Sequence, residues 1–216
     1  MAQRKALLLG ATGLTGGFLL DELLNSEVYS EVTIYVRSST GKIHPKLIEQ
    51  LVDFNTLQTW VEADDIFCCL GATIKTVKTK EAFAKVDLLA PLHIAKLQLA
   101  AGSKRFLVMS AAGADAKSKV FYNKIKGQLE AGLKKLNYPS LYIFQPSFIL
   151  GERKQRRKLE EFGISIAKFV SPILKGKFKK YLPVTANAIA KSMSHFAKNA
   201  NIGAHTIPSD IIKNWE

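Results

Sequence analysis

Three sets of residues in this 216-residue chain have types and spacings suited to chemistry. The first is Gly10-Ala11-Thr12-Gly13-Leu14-Thr15-Gly16, which directly follows the aliphatic run Lys5–Leu9. A strand that ends in a glycine-rich turn and opens a helix aims backbone N–H groups and the positive helix end at a pyrophosphate. Glycine also lets backbone approach phosphate closely and lets the helix pack tightly on the strand. At the first strand–helix junction of an α/β chain, this spacing points to dinucleotide binding rather than to an ordinary tight turn. The second set is Tyr122 and Lys126, which at i and i+4 share one helix face. A free phenol titrates near pH ~10, too high for acid/base work at neutrality. A fixed ammonium beside it favours the phenolate and brings it toward the working range. The third is Ser110, at the carboxyl end of the run Arg105–Met109, placed to hydrogen-bond a substrate oxygen whose charge changes during hydride transfer. The Tyr–Lys spacing alone is common as a packed phenol beside a surface amine. Joined to Ser110 and the glycine turn, it is poorly explained by chance.

The nucleotide is read at the end of the second strand. An acid about 20 residues beyond the glycines suits the ribose hydroxyls of NAD, whereas an arginine accommodates the 2′-phosphate of NADP. Here that strand ends Tyr35-Val36-Arg37-Ser38-Ser39, with no carboxylate at its tip. NADP is therefore favoured over NAD. The plain alternative is that Arg37 is only a solvated residue at a strand end.

These residues need a frame, and the hydrophobic pattern supplies one. Short apolar runs (Lys5–Leu9, Val32–Val36, Asp65–Leu70, Arg105–Met109, Leu141–Gln145, and a weaker one within Leu47–Phe54) alternate with helix-period segments at Leu14–Leu24, Lys80–Ala101 and Lys119–Leu136. Continuous apolar strands separated by helices indicate a parallel sheet covered on both faces. Pro91 lies inside Lys80–Ala101, so a kink or break is expected there. Beyond Gly151 the pattern is basic and mostly helical, at Leu159–Leu174 and Ala186–Lys198. The expectation is an α/β Rossmann-type doubly wound parallel sheet with a small, mostly helical C-terminal appendage. Residues 1–216 then form a single domain, with 151–216 as a basic, substrate-side part of it.

Composition excludes several classes. The chain is 47% hydrophobic and 23% charged, within the globular range, which argues against disorder and low-complexity arrays. The longest uncharged stretches, Ala6–Leu20 and Leu136–Gly151, are broken by Gly or Pro and fall short of the ~20 apolar residues of a membrane span. The N-terminus lacks the pattern of a signal peptide. Cys68 and Cys69 are adjacent and read as core side chains on opposite faces of a strand, so a reducing, cytoplasmic setting is expected. His44, His93, His195 and His205 show no ligand spacing, and no metal is expected. Trp60 and Trp215 read as packing residues. Of the net charge of +13, +7 lies between Glu152 and Lys180, where ten basic residues face three acidic ones. That segment reads as solvated surface, as a rim drawing an anionic small-molecule substrate, or as a polyanion patch. No fold or aromatic stripe supports nucleic-acid binding.

The chain resembles the short-chain dehydrogenase/reductases, and most closely their atypical, Tat-interacting-protein-like NAD(P)-binding branch, over nearly its full length. The resemblance rests on Gly10 through Gly16, Cys69-Leu70-Gly71-Ala72-Thr73, Ser110-Ala111-Ala112-Gly113-Ala114-Asp115, Tyr122 through Lys126-Gly127-Gln128-Leu129-Glu130, and Phe144-Gln145-Pro146-Ser147 through Gly151-Glu152-Arg153. It implies Tyr122 as acid/base, Lys126 as modifier of that phenol and ligand of the nicotinamide ribose, and Ser110 as substrate orienter. It also implies Asp53 and Phe54 beside the adenine, Leu70 and Gly71 along the ribose–phosphate path, and Pro146, Ser147 and Phe148 near the nicotinamide. Three positions depart from the family pattern. Asp87 stands where many members carry Asn ahead of a proton-relay water, Ala72 replaces a frequent Thr, and Gln145 a frequent Arg. The resemblance implies an NAD(P)-binding oxidoreductase acting on a carbonyl or alcohol, and Arg37 makes NADP(H) the expected nucleotide. Because the branch also includes binding and regulatory proteins, a nonenzymatic NADP(H) sensor on the same fold is the second reading.

Overall fold

The computed structural model describes residues 3–54, 56–72, 77–150 and 181–216. The basic segment Arg153 to Lys180, including the helix expected at Leu159–Leu174, lies outside them. Seven parallel strands form one sheet: β1 (Arg4–Leu9), β2 (Tyr29–Val36), β3 (Leu47–Leu51), β4 (Asp65–Cys68), β5 (Arg105–Met109), β6 (Ser140–Gln145) and β9 (Gly203–Pro208). Their order is β3-β2-β1-β4-β5-β6-β9. The chain winds outward from β1 to β3, then returns to β1's other side with β4, so the strand order reverses between β1 and β4. A crevice opens at such a reversal, outside the carboxyl ends of the strands. Two short strands, β7 (Ile149–Leu150) and β8 (Val184–Thr185), pair apart from the main sheet.

Alternation along the strands sends side chains to two cores. Ala6 and Leu8 of β1 face one, with Leu19, Leu20, Leu23 and Leu24 of α1 (Leu14–Leu24) and Ile189 and Met193 of α5 (Ala186–Lys198). Leu7 and Leu9 face the other, with Ile94 and Ala95 of α3 (Ala90–Ala100) and Leu129 and Leu133 of α4 (Phe121–Lys135). Each of these leucines contributes on the order of 2 kcal/mol by leaving water. Cys68 and Cys69 fall into opposite cores, as alternation requires.

The segment around Pro91 stays helical from Lys80 to Ala100, with a change of winding ahead of the proline. Helix α2 (Lys80–Ala84) runs into a π-helical turn, Lys85–Leu89, and on into α3 with Pro91 in its first turn. A proline clashes with the carbonyl four residues back; widening the preceding turn relieves that clash. The same widened turn carries Asp87 inward, where it is buried.

Candidate active site

At the nucleotide end, Gly10 has φ +82, and a Cβ there would lie 2.6 Å from the carbonyl oxygen of Cys69. A Cβ at Gly16 would lie 2.0 Å from the Gly10 oxygen. Only glycine permits this contact between the β1–α1 turn and the loop after β4. Gly13 caps α1, with no side-chain cap and no acid in the first turn. The Gly13 N–H donates to the Gly10 carbonyl at 3.0 Å, but the first amides of a helix have no intrahelical partner, so those of Leu14, Thr15 and Gly16 are left for a ligand. This cradle fits a pyrophosphate. Thr12 and Gly13 are exposed, Leu14 half-buried, and Thr15 and Gly16 buried.

At the proton-transfer end, α4 carries Tyr122, Lys126 and Glu130 at i, i+4 and i+8, on one stripe. Lys126 is buried, and its Nζ lies 2.7 Å from Asp87 Oδ1. Asp87 Oδ2 accepts a hydrogen bond from the Ala72 N–H at 2.8 Å. One carboxylate thus ties the loop after β4, the π turn and α4 together. Ser110 is also buried; its Oγ donates to Glu130 Oε1 at 2.5 Å. Gln145 Nε2 donates to both Glu130 oxygens, at 2.9 and 3.2 Å. With its proton given to Glu130, the Ser110 oxygen is left to accept a hydrogen bond. Tyr122 is 39% exposed, its ring 5.9 Å from that of Phe83.

The expected effect of Lys126 on Tyr122 is present but outweighed. Burial raises the phenol above its ordinary value; Lys126 lowers it, and Asp87 raises it again. Sequence spacing shows the amine and not the carboxylate that answers it. Burial likewise pushes the Cys68 thiol up to about 11 and Cys69 higher still, so both act as core side chains.

The remaining expected residues lie along the carboxyl edge of the sheet. Arg37 is exposed just past β2. Close by, Glu49 of β3 accepts from Ser39 Oγ at 2.6 Å and from both the Thr40 N–H and hydroxyl, which fixes the loop that follows Arg37. Asp53 is exposed, while Phe54 and Leu70 pack against the second core. Gly71 is exposed. Pro146 is buried and its carbonyl accepts from the Ala112 N–H at 2.9 Å. The Ser147 N–H donates to Ser209 Oγ at 2.7 Å, and its hydroxyl contacts the carbonyls of Tyr181 and Leu182. Phe148 is 74% exposed. Sequence spacing assigns no role to Glu130 or Glu49. For Glu130 a signal existed: an acid one turn beyond the Tyr–Lys pair on the same face.

The histidines have packing partners: His93 bonds the Leu57 carbonyl at 2.6 Å, His205 stacks on Tyr142, and His195 lies against Trp215. Among the described residues no group of three or more His, Cys, Asp or Glu could hold a metal ion, and no helix is long and apolar enough to cross a membrane.

No family model matches the sequence. Individual relatives do. The chain is 33% identical to the protein HTATIP2 of Rattus norvegicus over 164 residues, 73% of this chain and 67% of that one. It is 30% identical to the mitochondrial protein FMP52 of Eremothecium gossypii over 183 residues, 82% and 80% of the two chains. Among solved structures, MoeE5 in complex with UDP-glucose and NAD shares the fold with a TM-score of 0.68 at 15% identity, over 94% of this chain and 74% of that one. The fold is the Rossmann-type one of the short-chain dehydrogenase/reductases, and the sequence places the chain with their atypical branch. The chain belongs to the family of HTATIP2 and FMP52. One expectation is corrected: FMP52 relatives from several yeasts are named mitochondrial, which conflicts with a cytoplasmic setting. Two buried free cysteines do not distinguish one compartment from another.

Proposed function

We propose that this chain is an NADP(H)-dependent oxidoreductase that interconverts a carbonyl and an alcohol on a small-molecule substrate. The observation that carries this is the joining of two features at one sheet edge: a helix start whose approach only glycine allows, and the buried set Ser110, Lys126, Asp87 and Glu130 below the accessible phenol of Tyr122. When bound, the nicotinamide supplies or takes the hydride. The amides of Leu14, Thr15 and Gly16 would hold the pyrophosphate, and Arg37 the 2′-phosphate. Asp53 and Phe54 would flank the adenine, Leu70 and Gly71 the ribose–phosphate path, and Pro146, Ser147 and Phe148 the nicotinamide. Tyr122 moves the proton at its Oη, Lys126 orients the ribose and the phenol, and Ser110 orients the substrate oxygen by accepting from an alcohol or by turning its hydroxyl from Glu130 to a carbonyl.

Fluorescence titration with NADPH and NADH tests the nucleotide assignment. Wild-type protein is expected to bind NADPH more tightly. Arg37→Glu removes a charge-assisted contact worth about 1.5–3 kcal/mol, so NADPH affinity should fall by about tenfold or more while NADH affinity stays nearly constant. Equal losses for both nucleotides would overturn the NADP reading.

A further inference from the structure

Glu130 is a buried acid, 6% exposed, one helical turn beyond Lys126 on α4. A buried charge needs hydrogen-bond donors for its oxygens, and two uncharged side chains supply them. Ser110 Oγ donates to Oε1 at 2.5 Å, while Gln145 Nε2 donates to Oε1 at 2.9 Å and to Oε2 at 3.2 Å. Both oxygens accept from one amide nitrogen, as an ionised carboxylate does, so the proton between Glu130 and Ser110 belongs to the serine. The Lys126 ammonium is engaged by Asp87 instead.

The frame around this contact is tightly held. Ser110 follows β5, Gln145 ends the neighbouring β6, and the Ser110 N–H donates to the Phe144 carbonyl at 2.7 Å. Helix α4 lies directly on the loop after β5, since a Cβ at Gly127 would come within 2.1 Å of the Ala116 nitrogen. What stays free is the rotation of the Ser110 hydroxyl about its Cβ–Oγ bond. That hydroxyl has one proton and two lone pairs. A bond to a carboxylate is charge-assisted and stronger than a neutral one. The proton therefore stays on the Glu130 side, and the lone pairs are what a ligand meets.

Resting on the functional reading above, we propose that Glu130, held by Gln145, is a positioning residue that makes Ser110 a hydrogen-bond acceptor, so that the resting site selects a hydroxyl-bearing ligand over the matching carbonyl. An alcohol donates its O–H to the Ser110 oxygen and leaves the Glu130 contact intact. A carbonyl has no proton to give. It must draw the Ser110 hydroxyl away from Glu130, which leaves a buried carboxylate one donor short. The alcohol is therefore the tighter ground-state ligand, and the discrimination comes from Glu130.

The test compares matched pairs of probes: cyclohexanol with cyclohexanone, benzyl alcohol with benzaldehyde, and isopropanol with acetone. Each is titrated by ligand-observed NMR into protein saturated with a tetrahydro analogue of NADPH, which gives up no hydride. Wild-type protein should bind at least one alcohol about tenfold more tightly than its carbonyl partner, the worth of one charge-assisted bond. In Glu130→Gln the Gln145 amide still donates to the new side-chain oxygen, which turns the new amide toward Ser110 and frees the serine proton. The affinity ratio should then fall to about one or invert. A residue that only supports the fold would weaken alcohol and carbonyl alike and leave the ratio where it was. Should Glu130→Gln fail to fold, Ser110→Ala decides, and the preference should vanish there too. A panel in which no alcohol outbinds its partner, or a preference that survives in either folded variant, overturns the inference. Wild-type protein that binds neither NADPH nor NADH sinks the functional reading itself. Nucleotide binding without a preference for alcohols sinks the role of Glu130 alone.

Discussion

The two ends of the sheet hold the same three kinds of group in different settings. At the amino end, fully buried Asp65 accepts from the Tyr29 hydroxyl at 2.7 Å and pairs with Arg105 at 2.7 Å and Arg4 at 3.2 Å. These residues start β4, β2, β5 and β1, so the cluster pins four strand ends together. At the carboxyl end, Tyr122, Asp87 and Lys126 repeat the trio of phenol, carboxylate and cation. Both phenols are raised chiefly by burial, each with a carboxylate adding and a cation opposing. What separates them is access. Tyr29 is 0% exposed and Tyr122 39%. A trio closed over by strands holds the fold together, while one opened to a crevice beside a phosphate cradle can exchange a proton with a substrate.

That contrast can be broken from its structural side. Asp65→Ala strands two guanidinium groups and a buried phenol, and breaking a buried pair in this way costs about 3–5 kcal/mol. Urea unfolding should show that loss, while the protein still folded should bind NADPH with unchanged affinity. A loss below about 1 kcal/mol, in the range of an exposed ion pair, would mean that the cluster does not pin the strands. Tyr29→Phe gives the smaller effect. It removes one buried hydrogen bond, worth about 1 kcal/mol, and leaves nucleotide binding untouched. A change in NADPH affinity here would show that the two ends are coupled.

Much of this arrangement is legible in the sequence, for reasons visible in particular elements. β1, α1 and β2 announce themselves because aliphatic runs and a glycine turn are local patterns. The Tyr122–Lys126 pair is legible because one helix supplies both residues. β9 is not, because Gly203-Ala204-His205-Thr206-Ile207-Pro208 alternates weakly, buries little, and gains its place by pairing with β6. Asp87 reads as a departure from a family pattern, and its partnership with Lys126 depends on the π turn that Pro91 induces. Glu130 and Gln145 meet at Ser110 only after α4 packs on β5 and β6. Contacts made between elements, and the sign of the electrostatics they create, need the folded chain.

The most direct measurement of the central claim is NADPH consumption by wild-type protein and by Tyr122→Phe across a panel of aldehydes and ketones, with NADPH affinity measured for both. General acid catalysis by a positioned side chain contributes about 10²–10⁴-fold. The account predicts wild-type turnover, a loss of about 100-fold or more in Tyr122→Phe, and NADPH affinity that stays within about twofold, a difference under about 0.5 kcal/mol. Turnover retained in Tyr122→Phe, or a wild type that binds NADPH and reduces nothing in the panel, would contradict it.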